Sequence, residues 1–287
     1  MIVKNRIDPD FTDDYYKMKK IVILYHANCQ DGLGAAYAAW VKFGDKADYV
    51  PVSYGAEEPP DVTGKRVYIL DFSYKRSVLL EMHSKAKKLV VIDHHKTAQD
   101  DLAGLDFAHF DMNRSGCIMA WDYFHSPDTR PLGLLLIQDR DLWRFAFEAT
   151  KPYCAALWGL VPGDLESLSR SLNEASVNEL VARGRDLITV FNVDVAELQK
   201  HKHVITLNGH TGLACNANAK YASELGHKLA TESGTFGAIY CYDGQTKLWF
   251  YSLRSIDNFD VSEIAKAYGG GGHPRASGFS FKQFLMD

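Results

Sequence analysis

Val90-Val91-Ile92-Asp93-His94-His95-Lys96-Thr97, VVIDHHKT, is the stretch on which the fold turns. Three β-branched apolar residues run straight into an acid and two adjacent histidines. A short apolar run without polar alternation suits a strand covered on both faces. Its polar end then lies at the carboxyl edge of a sheet, where open α/β folds place their ligands.

Working outward, IVILYH (21–26), RVYILDF (66–72) and LVVID (89–93) read as strands. Between and after them, residues 33–44, 77–88, 115–125 and 132–143 read as helices, with Ser115 a helix N-cap. This alternation predicts a parallel α/β sheet with helices on both faces. Three polar clusters share one address at the strand ends: His26 to Asp31, Asp71, and Asp93 to His95. Residues 175–203 read as a long connector helix. A hairpin, a helix over 221–230, two strands about Asp243-Gly244 and a short helix from Val261 follow. The run GGGGHPRASGFSF (269–281) reads as a loop entering a last strand. The expected organisation is an arm (1–19), a parallel-sheet domain (20–174), the connector (175–203) and a smaller α/β domain (204–287).

Composition bounds the function. The chain has 287 residues, 46% hydrophobic and 24% charged, with a net charge of −4. That is a soluble globular profile without the basic field that holds duplex DNA. Cysteines 29, 117, 154, 215 and 241 are odd in number and lack CxxC spacing, which points to reduced thiols in the cytoplasm. The first twenty residues are too charged for a signal peptide, and no apolar run approaches a membrane span.

Asp93-His94-His95 after a hydrophobic strand, with Gly270-Gly271-Gly272-His273 and Ala276-Ser277-Gly278 about 180 residues later, resembles the DHH phosphoesterase superfamily with a C-terminal DHHA1 domain. HANCQDG (26–32), Asp71 closing VYILD, Asp139 in LLIQDRDLW and YSLRS ahead of the glycines fit the same pattern. The likeness spans roughly residues 20 to 285 and is nearest to the branch of nanoRNases, pAp phosphatases and exopolyphosphatase-like proteins. It implies two Mn²⁺ ions in the first domain, with Mg²⁺ or Co²⁺ as substitutes, and substrate capture by the second. By motif, His26 binds the first metal, Asp31, His94 and Asp139 the second, and Asp71 bridges both. His95 sits beside the site, and His95, Asp71 and His94 carry catalysis. Arg254, Gly270, Gly271, Gly272, His273 and Arg275 hold substrate. One departure stands out: where the family's first motif has an additional acid, this chain has Asn28 or Cys29.

The residues support that chemistry. Two divalent ions can activate water and clamp a phosphoryl group, and carboxylates with imidazoles suit Mn²⁺. Asp93 is read as an orienting acid. Asp139 is preferred over Asp141 because it directly follows the apolar run. Cys29 is read as a small packed residue beside the site. The glycine run allows successive amides to form an anion nest. Trp121, Trp143, Trp158 and Trp249 are read as core. The expected substrate is a short oligonucleotide or small nucleotide such as pAp, with no membrane partner and a homo-oligomer possible. Polyphosphate or pyrophosphate hydrolysis, and a nucleotide- or RNA-binding protein with a degraded metal site, are the rivals.

Overall fold

The structure, a computed structural model, describes residues 19–53, 58–160, 163–256 and 259–285. The arm expected over 1–19 lies outside them except for Lys19. Five strands form the first sheet: β1 (Ile21–His26), β2 (Ala47–Val52), β3 (Arg66–Leu70), β4 (Lys88–Asp93) and β5 (Ala108–Phe110). Their order is β2-β1-β3-β4-β5 and every pairing is parallel. Neighbouring residues of the central strands enter different cores. Ile23, Leu70 and Ile92 pack on one side, while Leu24, Ile69 and Val91 pack on the other. That two-sided burial is why these strands read as unbroken apolar runs.

Helices cover both faces. α1 (Gln30–Phe43), α4 (Gly116–Phe124), α5 (Leu132–Asp141), α6 (Thr150–Leu160) and α7 (Leu165–Ser171) supply residues to the first core. α2 (Arg76–Lys85) supplies Leu79 and Met82 to the second. A short α3 (Lys96–Asp101) follows the two histidines. β2 and β5 were not expected: β2 is an edge strand containing Pro51, and β5 has three residues. Proline is tolerated at such an edge, where one side of the ladder faces no partner.

α8 (Glu174–Gln199) joins the two parts. Its Val177 and Leu180 belong to the first core, whereas Val195 packs with Leu225, Leu229 and Ile239 of the second part. One helix thus contributes to cores under two sheets.

The second sheet has the order β10-β11-β9-β8-β7-β6. Its strands are β6 (His203–Leu207), β7 (His210–Asn216), β8 (Phe236–Asp243), β9 (Leu248–Ser255), β10 (Gly271–His273) and β11 (Ala276–Phe281). β6 and β7 form the expected hairpin through Asn208 and Gly209, both at positive φ. β7 and β8 pair in parallel across α9 (Ala222–Ser233), and the other pairings are antiparallel. α10 (Val261–Ala267) covers the opposite face. The glycine run corrects the expected loop: Gly271–His273 is a strand paired with Ala276–Gly278. No helix among the described residues is long and apolar enough to cross a membrane.

Candidate metal centre

Register builds the site. Leu70 pairs with Tyr25 and with Ile92, so His26, Asp71 and Asp93 are the next residues along three neighbouring strands. Asp71 leaves the sheet in a left-handed conformation, φ 55°, held by its amide on Ile92 O at 2.9 Å. Its carboxylate faces His94 Nε2 at 3.1 Å on one side and His26 Nδ1 at 3.5 Å on the other. Gly116 makes room for it, because a Cβ at that position would overlap the Asp71 side chain.

His94 Nε2 is the focus of three acids: Asp71 Oδ1 at 3.1 Å, Asp141 Oδ2 at 3.5 Å and Asp31 Oδ2 at 3.6 Å. Asp31, His94 and Asp141 each offer a ligand atom within 4.8 Å of the others. His26, Cys29 and Asp71 do the same on the other side. Two donor sets therefore share the neighbourhood of one carboxylate. Both contain mixed carboxylate and imidazole donors, and the set with Cys29 adds sulfur. Asp71 Oδ2 and His94 Nδ1 are buried with no hydrogen bond. An unsatisfied buried carboxylate oxygen is costly unless a cation completes it, so the residues fit a divalent pair.

The electrostatics agree. Burial would raise the Asp71 carboxyl, but the His26 and His94 imidazoles beside it hold it well below the usual range. Asp31 goes the other way: burial, then Asp71 and Asp141, push it well up. Burial would lower the His94 imidazole, yet Asp141, Asp71 and Asp31 raise it well above its ordinary value. Burial, with Asp71, Asp141 and Asp31 nearby, also raises the Cys29 thiol. Buried acids crowded around shared imidazoles produce this pattern.

Asp93 is fully buried and every oxygen is occupied. Ser73 Oγ donates to Oδ2 at 2.6 Å, and Oδ1 accepts from the His94 amide at 2.7 Å and sits 2.7 Å from His95 Nδ1. Burial opposes its ionisation, but His95 brings it down to about 2. It fixes the His95 ring, which stacks on His273 at 4.6 Å and 20°. His273 also meets His94 at 4.7 Å, carrying β10 of the second sheet onto the first. Burial first, and then His95 and His94, lower the His273 imidazole to about 2, so it stays neutral.

Several expectations change. Asp139 does not face the cluster. Its carboxylate accepts from the amides of Ala146 at 2.9 Å and Phe147 at 3.2 Å, and from the Thr150 hydroxyl. Asp141, half a helical turn on, is the acid beside His94. Cys29 is not merely packed nearby, since its sulfur lies among the ligand atoms of His26 and Asp71. Ser115 occupies the N-cap position of α4, but its hydroxyl pairs with Cys117 Sγ at 3.3 Å. The capping oxygens come from Asp31, which takes the amides of Gly116 at 2.6 Å and Cys117 at 3.0 Å.

The glycine amides do not form an open nest. Gly270 N donates to Ala265 O at 2.8 Å, and Gly272 N to Thr97 Oγ1 at 3.1 Å. The glycines instead permit close approach: a Cβ on Gly271 would lie 2.7 Å from Thr97 Oγ1, and Gly272 has φ 137°. Lys96 to Asp260 at 2.9 Å and Arg140 to Glu224 at 2.9 Å also cross between the two parts. Arg254 lies over Gly226 with Nη2 on Ser223 Oγ at 3.0 Å, and burial with Arg140 nearby lowers it to about 10. Arg275 is exposed at the β10–β11 turn.

Sequence reasoning missed Ser73, Gly116 and Thr97, and it ranked Asp141 behind Asp139. Asp141 was legible as the second acid of the same helix end, whereas the other three left no signal.

The DHHA1 domain model matches residues 207–285. Uncharacterized protein R106 of Acanthamoeba polyphaga mimivirus is 30% identical over 301 residues, covering 96% of this chain and 71% of that protein. Oligoribonuclease NrnB of Bacillus subtilis is 48% identical over 61 residues, which is 21% of this chain and 15% of NrnB. Among solved structures, an uncharacterized Helicobacter pylori protein overlays 93% of the chain and 95% of its own with a TM-score of 0.41 and 15% identity. The pGpG-specific phosphodiesterase PggH of Vibrio cholerae overlays 92% of the chain and 93% of its own with a TM-score of 0.44 and 12% identity. The sequence relatives, the DHH triplet at the end of β4 and the matched C-terminal sheet together place the chain: it belongs to the DHH phosphoesterase superfamily and carries a C-terminal DHHA1 domain.

Proposed function

We propose that the protein hydrolyses phosphodiester bonds of short oligonucleotides, or of a small nucleotide such as pAp, in the cytoplasm with a pair of divalent ions, Mn²⁺ foremost. The observation that carries this reading is Asp71, whose carboxylate stands between His26 and His94. In the proposal His26, Cys29 and Asp71 hold one ion, and Asp31, Asp71, His94 and Asp141 the other. When bound, such a pair acidifies water and neutralises charge on the transferring phosphoryl group. The sulfur donor favours softer ions than an all-oxygen set would, so Mn²⁺ and Co²⁺ rank ahead of Mg²⁺.

The chain's own groups do the rest. Asp93 holds the His95 ring at its Nδ1, which fixes the imidazole beside the cluster. His273 packs its ring on His94 and His95 and so holds the second part against the first beside the acids. Arg254 and Arg275 supply the cations that hold a substrate phosphate. The proposed division is a catalytic domain over 20–174, a connector helix over 175–203 and a substrate domain over 204–287. The similarity to NrnB over part of its length supports a nucleotide over polyphosphate.

The test is a panel of dinucleotides, five-residue RNA and DNA, pAp and short polyphosphate with Mn²⁺. Nucleotide turnover that falls to background in Asp71→Ala and His94→Ala, with circular dichroism unchanged, is the expected result. Full activity in both variants, or turnover of polyphosphate alone, would refute it.

A further inference from the structure

The two donor sets that flank Asp71 differ in chemistry, and the turn from β1 into α1 is the reason. β1 ends at His26 and α1 begins at Gln30. Between them Asn28 stands at φ 53°, a left-handed conformation that asparagine tolerates. The turn brings Cys29 back beside His26. Gly32 completes the arrangement. A Cβ there would overlap His26 O, so a glycine is what lets the first turn of α1 rest on the strand end.

The sulfur so placed is unlike the others in the chain. Cys29, His26 and Asp71 each offer a donor atom within 4.8 Å of the others, and among the described residues no other cysteine belongs to such a group. Cys117, Cys154 and Cys215 turn their sulfurs to the carbonyls of Leu134, Leu136 and Leu198. Asp71 Oδ2, the oxygen on the His26 side, is buried with no hydrogen bond. This half of the centre offers a sulfur, a nitrogen and a carboxylate. The other half, Asp31, His94 and Asp141 with Asp71, offers one imidazole nitrogen and carboxylate oxygens. Thiolate with imidazole favours Zn²⁺, whereas a carboxylate-rich set suits Mn²⁺. Three protein ligands of mixed kind are also what zinc takes when it keeps a position open.

We propose that the centre is built for two different ions: Zn²⁺ at His26, Cys29 and Asp71, and Mn²⁺ at Asp31, Asp71, His94 and Asp141. On binding, the Cys29 thiol gives its proton to solvent and ligates as the thiolate. The inference rests on the metal-pair reading above and narrows it, since Mn²⁺ stays the ion of the acid-rich half and Cys29 becomes the residue that sets the ion in the other.

Elemental analysis of the full chain, equilibrated with one equivalent of Zn²⁺ and an excess of Mn²⁺, tests it with Cys29→Asp and Cys29→Ser beside wild type. Wild type should retain one Zn²⁺ and one Mn²⁺. Cys29→Asp should lower the constant for Zn²⁺ replacing Mn²⁺ by about tenfold or more, the order reached when even a ligand's outer partner is changed. Co²⁺ in place of Zn²⁺ reports the sulfur directly. Wild type should show thiolate-to-Co²⁺ charge-transfer absorption in the near ultraviolet, and both variants should lose it with circular dichroism unchanged. A wild type that keeps two Mn²⁺ and no Zn²⁺, a wild type without the absorption, or an absorption that persists in Cys29→Ser would overturn the assignment. Any of these with nucleotide turnover intact leaves the hydrolase reading standing. A Cys29-dependent absorption in a chain that cleaves no nucleotide would support the mixed centre and remove the hydrolase reading instead.

Discussion

The carboxyl edge of β1, β3 and β4 and the β10–β11 hairpin meet across one site, yet they are built by opposite means. On the first side, parallel register delivers His26, Asp71 and Asp93 together, and buried Asp31 and Asp71 with the exposed Asp141 crowd around His94. On the second, absence of side chains matters. Gly271 and Gly272 let the hairpin lie against Thr97 so that His273 reaches His95. One side concentrates charge at a cost in stability, and the other supplies shape and closure. Changes on the first side should therefore abolish chemistry while sparing the fold. Changes on the second should alter substrate capture.

The largest expected effect is Asp71→Ala. Activity should fall by on the order of a thousandfold or more, as when a group acting on the reaction centre is removed. The unfolding temperature should fall only modestly, because the variant strands His26 and His94 but also relieves Asp31 of an acidic neighbour. Steady-state kinetics and calorimetric melting check the two halves. The two acids of α5 separate next. Asp141→Asn should reduce kcat by about a hundredfold with little change in stability. Asp139→Ala should destabilise the fold by about 3 kcal/mol in urea titration, because it strands donors that a buried carboxylate now satisfies. The reverse outcome would return Asp139 to the metal site and break the contrast.

Those two acids show where the sequence stops being readable. The strands, their parallel order and the convergence of His26, Asp71, Asp93 and His94 follow from apolar runs ending in polar residues. A strand end leaves no choice of direction. A helix does: positions 139 and 141 differ by about 200° of rotation, and an apolar run before them does not fix which faces the cluster. The glycine run fails for another reason. Its acceptors are Ala265 O and Thr97 Oγ1, and the second lies 175 residues away in the chain. Asp31 as the cap of α4 is equally remote, 85 residues from Gly116.

Smaller effects test the second side. Gly271→Ala should raise KM on the order of tenfold with kcat nearly unchanged, because Thr97 must shift to admit the new methyl group. Adding Thr97→Ala should recover part of it. Lys96→Ala removes a half-exposed bridge to Asp260. It should cost at most about 1 kcal/mol and fade with added salt, measurable as a small shift of the urea midpoint. A large loss of kcat in either variant would mean that the hairpin does more than shape the site.

The most direct measurement is the stoichiometry of bound metal. Equilibrium dialysis against Mn²⁺ with elemental analysis should find two ions per wild-type chain. Asp71→Ala, which removes the carboxylate common to both donor sets, should retain neither tightly. A wild-type chain that binds no divalent ion, or an Asp71→Ala chain that still holds two, would contradict the shared-carboxylate centre.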